Sequence, residues 1–172
     1  MKRKSKSFFW ITTCFGGALP VIIDIITWLI HEPLPAFKTL FNWARLYFTS
    51  GPFYFVFATI SCAVPFMVLY VFANELLKNK TPLNYVQRFS GVILASLSLL
   101  IFSIYINSTQ SYNLYQASHE GPYEGASTAG LTFIIFPILA ISLELLAYII
   151  GWGFGKLITI FRNSGNTRIN SA

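Results

Sequence analysis

AGLTFIIFPILAISLELLAYIIGW, residues 129–152, is a run of 24 residues whose single charged side chain is Glu144. At a helical rise of ~1.5 Å per residue it reaches about 36 Å, enough to cross a ~30 Å hydrocarbon core. Three further runs share this character: Phe8–Ile30, Phe53–Leu77 and Phe89–Ile106. The chain of 172 residues is 55% hydrophobic and only 10% charged. A soluble domain carries roughly a quarter charged residues, so this chain lacks the polar side chains to solvate a globule. The fold class expected is an all-α membrane protein with four transmembrane helices, covered by the lipid bilayer.

Charge sets the expected orientation. Lys2, Arg3, Lys4 and Lys6 precede the first run, Lys78, Lys80 and Arg88 separate the second and third, and Lys156, Arg162 and Arg168 follow the fourth. Only Lys38 and Arg45 fall on the opposite side. The positive-inside rule then places both termini in the cytoplasm of a multi-pass cell-membrane protein, the inner membrane if the source is bacterial. The net charge of +6 is explained by orientation and anionic headgroups, and no nucleic-acid partner is implied. Residues 1–7 read as a basic cytoplasmic N-terminus, 8–162 as one bundle and 163–172 as a polar cytoplasmic tail without order.

Lys2–Lys6 ahead of an apolar run resembles a signal peptide, but the run continues to Ile30 and no small-residue cleavage site closes it. Ile11-Thr12-Thr13-Cys14 is a poor lipoprotein box because Thr13 is bulky and the preceding apolar run is short. Cys14 and Cys62 both fall inside apolar runs, which argues against a disulfide framework, a thiol-redox motif and a cysteine metal site.

The connections differ in kind. Pro33 and Pro35 stop the first helix. From Ala36 to Thr49, Phe37, Leu40, Phe41, Ala44, Tyr47 and Phe48 recur at helical spacing, with Lys38, Asn42 and Arg45 mostly opposite. That pattern predicts a short amphipathic helix in the outer interface, with Trp43 at headgroup depth. Asn79–Pro82 is a tight inner turn. Residues 107–128, rich in Ser, Tyr, Asn and Gly and free of Lys and Arg, read as a connector or a partner-binding loop. Asn107-Ser108-Thr109 matches a glycosylation sequon against the membrane.

Two carboxylates, Asp24 and Glu144, lie in apolar runs that hold no basic residue. Intramembrane acids mark functional sites by default, because charge in hydrocarbon is expensive. Thr13, Gly17, Pro20, Asp24, Thr27 and His31 form one helical stripe, so Asp24 is expected to face protein or a wet cavity. Pro137, Ala140, Glu144, Ala147, Gly151 and Gly155 form a second, ending in a GxxxG spacing that favours close helix approach. Gly91, Ala95 and Ser98 make a third small edge. With no base nearby, the acids must be protonated, hydrogen-bonded or hydrated. Thr27 and Ser98 are among the hydroxyls expected to serve them, and Gly17, Gly151 and Gly155 are expected to pack helices. The acids serve as bundle glue, as a contact for a partner, or as proton or cation stations. Pro20, Pro65 and Pro137 would each free a carbonyl one turn earlier, at Gly16, Ser61 and Phe133.

His31-Glu32 and His119-Glu120 fall on the same expected outer face. A metal or pH-sensing pair there is conceivable, but no HExxH spacing accompanies it. No cofactor, metal or catalytic constellation is expected, since GxSxG, P-loop and dinucleotide motifs are missing from the sequence. Size and layout are shared with small bacterial immunity, exclusion and accessory proteins. The expectation is therefore a non-enzymatic protein that binds another membrane protein or itself. A small proton- or cation-coupled transporter using Asp24 and Glu144 is the alternative.

Overall fold

The computed structural model describes residues 2–50, 52–78, 82–120 and 125–169. They form five α-helices: α1 Lys2–His31, α2 Ala36–Ser50, α3 Pro52–Lys78, α4 Pro82–Glu120 and α5 Gly125–Ile169. Four of them, all but α2, are long and apolar enough to cross a membrane. No strand occurs among the described residues.

The helices run up and down. Phe9 of α1 meets Tyr70 of α3, and further along Gly16 meets Phe66, which makes the pair antiparallel. Gly155 and Gly151 of α5 approach Gln87 and Ser90 of α4, while Thr132 near the start of α5 meets Gln110, so this pair is antiparallel too. α1 therefore starts and α5 finishes at one end of the bundle, and α2 lies at the other. α3 and α4 each pack against both remaining long helices, whereas α1 and α5 do not pack on each other among the described residues. The core between them is built from Leu19, Ile23, Cys62, Phe66, Leu69, Ala95, Leu99, Phe136 and Ala140. Outward, α1 turns Ile11, Phe15, Ile22 and Ile26 away from the core, and α5 turns away Ile134, Ile138, Leu146 and Ile149. An apolar exterior over a close-packed interior is what lipid-covered helices require.

The prolines do not break the helices. Pro20, Pro65 and Pro137 all sit inside them. The carbonyl that Pro137 frees at Phe133 is taken up by α3, where Ser61 Oγ donates to it at 2.6 Å.

At three boundaries the helices run beyond the apolar stretches, each for the same reason. α4 continues through the polar segment 107–120 that reads as a connector. Likewise residues 2–7 belong to α1, and the tail residues 163–169 belong to α5. Polarity alone does not stop a helix once it is nucleated. After Gly91, the first Gly-Pro breaker on the α4 side is Gly121-Pro122. Residues 121–124 of the expected loop lie outside the described residues.

Candidate functional site

Asp24 and Glu144 are both buried, at 2% and 0% exposure, and they have different surroundings. Pro33 and Pro35 end α1 and turn the chain back, so that α2 lies against α1 and α3. That turn brings Trp43 to Asp24: indole Nε1 donates to Oδ2 at 2.8 Å. Thr27, expected to serve the acid, instead donates to its own helix at Ile23 O, 2.9 Å away. Backbone carbonyls one turn earlier are the nearest acceptors for helical hydroxyls, and Ser96 and Ser142 make the same choice.

Glu144 lies on the buried edge of α5, in line with Ala140, Ala147, Gly151 and Gly155. The glycines set how tightly α4 is held. A Cβ at Gly151 would stand 2.5 Å from Ser90 O, and one at Gly155 would stand 2.5 Å from Gln87 Cα. Two turns further along, this antiparallel register brings Glu144 level with the Ala95–Ser98 part of α4. The buried edge of α4 steps strictly by four, through Gly91, Ala95, Leu99, Ser103 and Asn107, which leaves Ser98 on the flank. Among the described residues neither Glu144 oxygen has a hydrogen-bond partner, so Ser98 does not serve it. Ser103 Oγ is buried without a partner as well. Gly17 packs as expected, with Thr59 and Ala63 of α3 against it. The two acids lie on helices that do not pack together, and they do not form one site.

The α2 end gathers more than the sequence indicates. Extension of α4 brings His119 over α1, where its Nε2 lies 3.0 Å from Glu32 Oε2. Its Nδ1 is 2.9 Å from both Tyr115 O and Ser118 Oγ. Tyr115 donates to His31 O at 2.9 Å, and its ring meets Trp28 edge-on at 5.3 Å. His31 lies against Tyr112 and Tyr115, with Nδ1 on Thr27 O. The side chain of Glu120 lies outside the described residues. Between α1, α2 and α4 opens a cleft of about 410 Å³ lined by Trp28, Glu32, Asn42, Arg45, Leu46, Ser118 and His119. Trp28 is only 4% exposed, and its Nε1 has no hydrogen-bond partner among the described residues. α2 thus turns Asn42 and Arg45 to the cleft, while Phe37, Phe41 and Phe48 point outward.

Among the described residues no three His, Cys, Asp or Glu side chains are grouped to hold a metal ion. The sequon asparagine, Asn107, is buried and donates to Ser103 O and to the Cys62 sulfur. Sequence reasoning does not reach Trp28, the Ser61–Phe133 bond or the Trp43–Asp24 bond, and it leaves Tyr115 in a connector or partner-binding loop. The missing breaker in 107–120 is the signal that would have placed Tyr115 on a helix beside α1. Comparison of the chain with protein-family models, curated proteins and solved structures gives no match.

Proposed function

We propose that this chain is a non-enzymatic multi-pass protein of the cell membrane that binds another membrane protein through the cleft between α1, α2 and α4. In this reading both termini are cytoplasmic, and α2 lies in the outer interface with Phe37, Phe41 and Phe48 in the lipid. The cleft is the observation that carries it. Arg45 and His119 are exposed at its mouth over the buried Trp28 ring. Its walls are braced by the Tyr115–His31 and His119–Glu32 bonds, and arginine and aromatic side chains are the residue types that dominate interface energies. The two acids do not serve this role directly, because neither has surface that a docking protein reaches. Asp24 instead contributes by holding Trp43, and hence α2, in place.

A photo-crosslinking amino acid at Ser118, on the rim, tests this in native membranes, with the lipid-facing position Ile60 as control. One discrete protein adduct at Ser118 and none at Ile60 is expected. No adduct at Ser118, or the same adducts at both positions, would sink the reading.

Glu144 favours a second reading. A fully buried carboxyl without a hydrogen-bond partner among the described residues is costly to keep, and intramembrane acids of this kind line proton and ion paths. A proton- or cation-coupled carrier, or a subunit of one, would use it. Glu144→Gln would then abolish pH-driven flux in reconstituted vesicles while the protein stays folded. Unchanged flux, or none in wild type, would remove this alternative.

A further inference from the structure

The opposite end of the bundle, away from the cleft, carries a second feature. A groove of about 460 Å³ between α4 and α5 is lined by Arg88, Tyr148, Ile149 and Trp152. One turn beyond, Lys156 holds its ammonium 5.8 Å from the centre of the Trp152 ring. Its back wall is rigid: the Tyr148 ring stacks on Phe72 of α3 at 4.6 Å, and a Cβ at Gly91 would touch it at 3.0 Å. The groove exists because the glycine contacts that draw α4 and α5 together leave the large side chains on the flank.

We propose that this groove binds the phosphodiester headgroup of an anionic phospholipid. The chemistry is complementary on each side. An arginine fork matches phosphate oxygens in pairs, and a lysine adds a mobile point charge. Trp and Tyr suit headgroup depth, where one edge is wet and the other is in hydrocarbon. Ile149 begins the exposed apolar flank of α5 that an acyl chain would follow toward the bundle centre. Arg88 is six residues into α4 from Pro82, about 9 Å along the axis, a depth that a guanidinium reaches by snorkelling. The end is strongly basic: Lys6, Lys78, Lys80 and Arg162 belong to it in sequence, against Glu75 as its one acid. This proposal rests on the chain spanning a membrane. It does not depend on the cleft or its partner.

Native mass spectrometry of the full chain in detergent provides the test, with dioleoyl-phosphatidylglycerol and dioleoyl-phosphatidylcholine offered in equal amounts. Wild type is expected to retain one phosphatidylglycerol in preference to phosphatidylcholine. Lys156→Gln and Arg88→Gln should each weaken retention about fivefold, the effect of one basic residue near an anionic surface. Lys156 is exposed, so its substitution keeps the fold if that of Arg88 does not. Lys38→Gln, at the other end of the bundle, should leave retention unchanged. Equal retention of both lipids, or an equal loss with Lys38→Gln, overturns the proposal. Displacement of the lipid by inorganic phosphate at matched concentration would also overturn it, by assigning the site to a free anion.

Discussion

Asp24 and Glu144 are two acids at similar burial with opposite fates. Asp24 lies about two turns from the end of its helix, where the chain can fold back and bring a donor, and Trp43 on α2 is that donor. Glu144 lies in the middle of a 45-residue helix whose neighbours are held at backbone contact by glycines, so nothing folds back to reach it. On the facing helices Ser96 is committed to its own helix at Val92 O and Ser61 to Phe133 O, while Ser103, buried without a partner among the described residues, does not bond to Glu144. An acid near a helix end can be built into a structure; one at mid-bundle stays a cost unless function repays it. This asymmetry makes Asp24 the positioning residue and Glu144 the unexplained one.

The scaffold that keeps Glu144 enclosed should be the easiest part to break. Gly151→Leu drives a side chain into Ser90 O, and the expected cost is at or above the top of the ~1–3 kcal/mol range for overpacking. Loss of the monodisperse peak in size-exclusion chromatography after mild heating would register it. A variant as heat-stable as wild type would mean that α4 and α5 are not held at this contact. Next come the acids themselves, for which opposite signs are expected. Glu144→Leu removes a buried polar group without a partner and should leave stability unchanged or raise it, by as much as about 1–3 kcal/mol. Asp24→Leu strands the Trp43 N–H and should cost about 1–3 kcal/mol. Melting temperatures of the two variants in one detergent make the comparison direct. If both fall together, Glu144 has a stabilising partner and the asymmetry is wrong.

The long elements were legible in the sequence because hydrocarbon imposes a length and forbids charge, so four runs and the helix from Ala36 follow almost directly. Burial was legible as well: the stripe through Thr13, Gly17, Pro20, Asp24 and Thr27 is buried in the structure, and only His31 at its end is exposed. What escaped depended on contacts between distant elements. Trp43 reads as an interfacial anchor on its own helix, and only the α1–α2 turn makes it a ligand for Asp24. Ser98 was placed by counting threes and fours, but the buried edge of α4 steps by fours and leaves it aside. Residues 107–120 read as a loop when polarity is weighed above the lack of any Gly or Pro, so the outer-face grouping of His119 with Glu32 is legible but the helix that carries His119 there is not.

The smallest effect is the most specific. Trp43→Phe keeps an aromatic ring on α2 and removes only the N–H that Asp24 accepts. Hydrogen bonds between membrane helices average about 0.6 kcal/mol and reach ~1.7 kcal/mol, so the melting temperature should fall slightly. The coupling carries more information than the single change. If the bond accounts for the burial of Asp24, then Trp43→Phe costs less in an Asp24→Leu background than in wild type, because its partner is already gone. The two losses should then sum to more than the double variant shows. Strict additivity would mean that α2 is held by its apolar contacts alone, and Asp24 would join Glu144 as an acid that the fold does not explain.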